Sequence, residues 1–199
     1  MSAELVTSLL LIGIFAAVTV SLSLQRLWTG LIAIPNLLAA AAVATAWHGV
    51  AAQSLDALLG SYTHLLDTLT IWAIFAVVML VLREVTDRVS RHRVAFPPLV
   101  EKIGGPIAAA VAGWIMVAFT AASIQTAPWP VAAVQKTPES RMLLGISPDR
   151  RWLQFVRGSS VTGPFAAPAS PFDPKADFLV RHAQRRIGLE RETALRVNR

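Results

Sequence analysis

Histidine is the side chain best suited to metal and proton chemistry, and this sequence has four: His48, His64, His92 and His182. They fall on four different segments, so their spacing does not predict a shared metal site. The chain contains no cysteine, which excludes thiolate zinc sites, iron–sulfur clusters and disulfides. Serines are common, but none has a His–Asp arrangement near it in the chain. Walker A, dinucleotide-fingerprint, HExxH and GxSxG motifs are missing too, and Gly104-Gly105-Pro106 reads as a helix start, not a phosphate cradle. The residues therefore point to a protein that is not an enzyme, with no catalytic, cofactor-binding or metal-binding residue to assign and no small-molecule substrate identified. Two polar side chains stand out in apolar surroundings. Asn36 follows Pro35 and needs a hydrogen-bond partner; a structural role is the simpler expectation, a ligand site the alternative. Asp67 is the one ionisable residue expected to dip into a membrane, where acids are costly and often functional. It either caps a helix N-terminus in the headgroup zone, among Ser61, Thr63 and His64, or serves a proton or ion path.

The elements that carry these residues are long and apolar. Of the chain's residues 54% are hydrophobic and only 15% charged, with a mean hydropathy of +0.55. Ordinary soluble domains carry about 25% charged residues. An uncharged run from Leu5 to Leu24 is long enough to cross a bilayer core about 30 Å thick. It lacks the basic leader of a signal peptide, having only Glu4 before it, so a retained span is expected. A second span runs from Leu27 to about Ala51, with Trp28 and Trp47 placed to mark the two membrane surfaces and Pro35 to kink it. The third has an uncharged core from Thr68 to Leu82 and works as a span if its helix begins near Tyr62. Beyond Leu82 it is expected to continue into water, stitched by Arg83 with Asp87, Glu84 with Arg88, and Asp87 with Arg91. The fourth opens at Gly104-Gly105-Pro106 and stops before Pro128 and Pro130. On it Gly105, Ala109 and Gly113 form a small-residue ridge that lets another helix approach closely, with internal packing the safer expectation. A soluble bundle would need polar faces that the first and third runs lack. The predicted fold is an all-α membrane protein: a four-helix transmembrane bundle over residues 1–127, followed by a short, partly helical polar tail over 128–199, outside the membrane.

Charge divides the chain the same way. Six basic and six acidic residues precede Thr126; twelve basic and six acidic residues follow, so the tail carries the whole net charge of +6. No nucleic-acid-binding motif accompanies that charge, and no nucleic-acid partner is expected. Arg26 in the first short loop, and Arg83, Arg88, Arg91, Arg93 and Lys102 in the third, predict cytoplasmic loops, with the N-terminus and tail on the periplasmic side. In the tail, Ser147-Pro148-Asp149 is a predicted helix start, with Ser147 as cap and the helix ending at Gly158. Trp152, Phe155 and Val156 form an apolar face that can lie on the membrane surface or pack against the bundle. Residues 158–174 read as an extended linker, and 176–199 as weakly helical and partly disordered.

The stretch from Ser61-Tyr62-Thr63-His64-Leu65-Leu66-Asp67 through Arg83–Arg93, Val100-Glu101-Lys102-Ile103-Gly104-Gly105 and Thr126-Ala127-Pro128 resembles the colicin V production protein family of small four-span inner-membrane proteins. Ser147-Pro148-Asp149-Arg150-Arg151-Trp152 resembles the tail of its longer members. Between the first two spans only Arg26 and Gly30 echo the Arg- and Gly-rich turn of typical members. The resemblance implies a bacterial inner-membrane protein that supports toxin production or export, or envelope homeostasis. Its partners would be the lipid bilayer and other membrane proteins or further copies of itself. A small channel or transporter subunit is the alternative that Pro35-Asn36 and Asp67 raise, and an accessory subunit of a larger membrane complex is a third.

Overall fold

The computed structural model describes residues 3–59, 63–90, 94–129, 134, 141–143, 145–162 and 171–191. Among them the chain is all-helical: α1 (Ala3–Ser23), α2 (Leu27–Leu59), α3 (Thr63–Val89), α4 (Pro98–Ile124), α5 (Pro148–Val161) and α6 (Phe178–Arg191). The first four contain stretches long and apolar enough to cross a membrane: Glu4–Ser23, Leu27–Asp56, Leu65–Val89 and Pro98–Ile124. Their outward faces carry Leu5, Leu9, Ile12, Leu69, Val77 and Leu80, all exposed. Contiguous apolar surface of this kind belongs against lipid, where a helix already satisfies its own backbone hydrogen bonds. The polar side chains of the spans turn inward, with Asn36, Thr45, His48, Thr70, Thr120 and Ser123 buried. This is an all-α membrane protein.

Two helix pairs make the bundle. α2 packs along α3, α1 packs along α4, and α4 joins the pairs by packing on α2. α3 barely touches α4. Phe119 of α4 is fully buried at the junction, stacked on Phe75 of α3 with ring centroids 4.8 Å apart.

Several boundaries differ from those the sequence predicts. α2 runs on to Leu59, past Ala51, because nothing between Ala51 and Leu59 breaks a helix. α4 begins at Pro98, not Gly104: Pro97 and Pro98 already supply the start, and Gly104-Gly105-Pro106 lies inside the helix. α3 begins at Thr63, beside the predicted Tyr62, and its turns after Leu82 are not isolated from the bundle. They run beside the start of α2, where Trp28 Nε1 donates to Ser90 Oγ (2.9 Å) and Asn36 Nδ2 donates to Thr86 Oγ1 (3.0 Å). Arg83–Asp87 and Glu84–Arg88 pair on the exposed flank at 3.8 and 2.8 Å; Arg91 and His92 lie outside the described residues.

The tail is no solvated appendage. α5 packs on α4 and touches α2, and Trp152, Leu153, Val156 and Phe178 belong to the same buried cluster as Ala112, Ile115 and Phe119. The buried face of α5 is Asp149, Trp152, Leu153 and Val156, while Phe155 is exposed, so Leu153 takes the place predicted for Phe155. α5 continues past Gly158 to Val161. Ser147 is not a side-chain cap: its backbone is left-handed (φ 52°) and its hydroxyl makes no capping hydrogen bond. Of the predicted linker, 163–170 lies outside the described residues; of the segment expected to be partly disordered, 178–191 is helix α6 and 192–199 lies outside.

Candidate functional site

The polar residues that matter most gather where α4 ends. Gln125 follows the last turn of α4, and its backbone carbonyl is one of the acceptors a helix C-terminus leaves without an internal partner. Arg186 of α6 donates to that carbonyl and, at 3.0 Å, to the Gln125 side-chain oxygen. A cation is also favoured there by the helix dipole. The Gln125 amide nitrogen donates in turn to Asp149 Oδ2 (3.1 Å) and to the Met142 sulfur (3.2 Å). One amide thus stands between a guanidinium and a carboxylate, its oxygen toward the cation and its nitrogen toward the anion. All three side chains are buried, Asp149 completely. Asp149 is the second residue of α5, where an acid also meets the positive end of the helix dipole. Burial pushes its carboxyl above the ordinary range. Burial also works against the charge on Arg186, with Glu190 one turn along supporting it.

Two further contacts hold the tail down. Arg185 of α6 forms an ion pair with Asp67 of α3. Trp152 of α5 donates its indole N–H to Thr45 of α2 (3.0 Å), whose hydroxyl donates to the Ala41 carbonyl. The start of α6 is fixed locally: Asp173 accepts from the backbone N–H groups of Asp177 and Phe178, Arg157 reaches the Pro174 carbonyl, and Ser160 accepts from the Phe172 N–H.

The tail, the C-terminal end of α2 and the N-terminal end of α3 line a half-open cavity of about 780 Å³. His48 and His182 face each other across its floor with ring centroids 6.4 Å apart, and Phe178 lies edge-on to His48. His48 Nδ1 donates to the Thr45 carbonyl at 2.8 Å, which fixes its tautomer. Burial holds His182 down to about 3, helped by His48 and by the charges of Arg185, Arg181 and Arg186. Among the described residues no group of three or more His, Asp or Glu side chains is arranged to hold a metal ion.

Asn36 is committed to Thr86 and ties α2 to α3. Asp67 lies in the second turn of α3, past the capping positions, and serves as the ion-pair partner of Arg185. Along the small-residue ridge, Ala109 is fully buried and Gly113 meets α1, where an added Cβ would overlap the Thr19 hydroxyl and lie 3.2 Å from the Phe15 ring. Gly105 has open space at its Cβ direction. At Gly113 the ridge packs against α1 of this chain. Gln125, Asp149, Arg185, Arg186 and the His48–His182 pair are not singled out by the sequence. One signal was present: Phe178, His182 and Arg186 recur every four residues with Ala183 beside them, so a basic residue sits on the apolar face of α6 and needs a buried acceptor.

The helices and this clamp define an integral membrane protein whose C-terminal segment is docked on its own bundle. No family model, curated protein or solved structure matches the chain.

Proposed function

We propose that this chain is a non-enzymatic module of the bacterial inner membrane, similar in layout to colicin V production proteins, that works by binding other membrane proteins. On this reading its role is toxin production or export, or envelope homeostasis. Arg26 and the Arg83–Lys102 region lie on the cytoplasmic side, the first turns of that region within the cytoplasmic leaflet, and the N-terminus and docked tail face the periplasm.

The observation that carries the reading is the free flank of α3. The Trp28–Ser90 hydrogen bond sets those residues at one level, and tryptophan favours the headgroup layer. Arg83 and Glu84 precede Ser90 by six or seven residues and so lie about 10 Å deeper along the helix. Two exposed ion pairs that reach from that depth back toward the headgroup layer are costly against lipid and favourable against a polar protein surface. A partner helix along α3 removes that cost. Crosslinking from the α3 flank in native membranes, followed by gentle solubilisation and affinity purification, is expected to capture a defined membrane protein or a second copy of the chain. Recovery of monomer alone overturns the proposal. A channel or transporter subunit is the competing class; because Asn36 and Asp67 are both committed to partners, liposomes holding the purified chain are expected to show no flux sensitive to Asp67→Asn.

A further inference from the structure

The cavity under the tail is built from both charge signs. Asp56, Asp67 and Asp173 contribute carboxylates, and Arg181 and Arg185 contribute guanidinium groups. Arg185 is matched to Asp67, and Arg181 to Asp173 and Asp177. Asp56 is the carboxylate in excess, and its Oδ1 is screened from solvent without receiving a hydrogen bond. The Asp56 carboxylate lines the cavity with no ion pair among the described residues, so an arriving cation meets a negative group there. The rings of Trp47, Phe172 and Phe178 line the same space, and aromatic faces favour an organic ammonium over a hydrated metal ion. Arg181 is more than half exposed, and with Nε on Asp177 and Nη2 on Asp173 it presents its Nη1 edge to an incoming phosphate oxygen.

Position narrows the ligand further. α2 is 33 residues long, about 50 Å, so it overshoots a 30 Å bilayer core. Trp28 at one interface leaves Trp47, exposed, near the other. The cavity is lined by α2 from Ala46 to Asp56, the stretch that begins at that interface and rises out of it. Its volume of about 780 Å³ lies within the range of about 300–1,000 Å³ that ligand sites occupy.

We propose that this cavity binds the head group of a zwitterionic aminophospholipid from the adjacent leaflet, with the ammonium against Asp56 and the Trp47 ring and the phosphate against Arg181. The inference rests on the membrane fold and is independent of any protein partner, so the crosslinking result above does not bear on it.

The test is native mass spectrometry of the full chain, released from detergent with phosphatidylethanolamine or phosphatidylglycerol of matched acyl chains. Phosphatidylethanolamine is expected to be retained at least tenfold better. Asp56→Asn is expected to reduce that preference about tenfold, the scale of one charge-assisted contact, and Asp56→Glu to keep most of it. Trp47→Leu, at an exposed position that leaves the clamp intact, is expected to weaken retention without unfolding the chain. Equal retention of the two lipids, or an undiminished preference in Asp56→Asn, overturns the site. Binding of soluble glycerophosphoethanolamine as tight as that of the lipid overturns the assignment to the leaflet.

Discussion

Arg186 has Glu190 one turn along its own helix and the Gln125 side chain in front of it. The Gln125 amide links the guanidinium to the buried Asp149 carboxylate, so the middle residue serves both charges. Removing the middle one should be worst. Gln125→Leu takes the amide away from a buried guanidinium and a buried carboxylate together, leaving Arg186 the backbone carbonyl at 125, and is expected to cost about 3–5 kcal/mol. Arg186→Met keeps the stem, leaves acceptors on Gln125 unmet, and is expected to cost about 1–3 kcal/mol. Thermal denaturation in detergent, with limited proteolysis of α6 as the local readout, should rank them in that order; equal losses would mean that the amide relays nothing. His182 adds a pH dependence of definite sign. Its folded-state value of about 3 lies below the ordinary 6.5, so the unfolded chain takes up a proton that the folded chain refuses. Stability is therefore full above about 6.5 and falls as the pH drops toward 3, by up to about 2 kcal/mol at pH 5. Asp149, whose carboxyl is shifted upward, works in the opposite direction on acidification. His182→Gln is expected to reduce the loss between pH 7 and 5, measured as the change in melting temperature across that range.

At the scale of helices, α1 and α4 meet at a point defined by one missing side chain. An Ala at Gly113 would press its Cβ into Thr19 and onto the Phe15 carbonyl oxygen, 3.3 Å away, and backbone cannot swing aside as a side-chain end can. Gly113→Ala is expected to destabilise by about 1–3 kcal/mol, the usual range for overpacking. Gly105→Ala, on the same ridge, has room and should be neutral or stabilising by about 0.5–1 kcal/mol through helix propensity alone. Unfolding of the two variants side by side in one detergent checks this, and equal effects would reject the contact. The ridge itself was legible, because small residues at spacings of four are a pattern; which of its members touches another helix was not, because that depends on where α1 crosses. The spans were legible for a similar reason: composition over twenty residues decides them. Their ends were not. Pro97-Pro98 and Gly104-Gly105-Pro106 are both plausible starts for α4, and the chain uses the earlier one because a proline within a span is tolerated where neighbours compensate.

The whole molecule departs furthest from its sequence in the tail. Charge counting makes residues after Thr126 look solvated, yet Arg186 pairs with Gln125 across 61 positions, Trp152 with Thr45 across 107, and Arg185 with Asp67 across 118. Each partner looks ordinary in its own neighbourhood, and only the return of the chain over the bundle brings them together. That return fixes a relation between the two ends of the molecule that can be measured. Gln25 lies after one span and Lys175 after four, so an odd number of crossings separates them and they must face opposite sides of the membrane. Both are exposed, and the chain has no native cysteine to interfere with labelling. In intact cells a membrane-impermeant maleimide is expected to label Lys175→Cys, and to label Gln25→Cys only after permeabilisation. Labelling in the reverse pattern would keep the four spans and invert the orientation drawn from the basic loops. Labelling of both from one side would remove a span, and with it the level at which Trp28, Trp47 and the cavity beside it are placed.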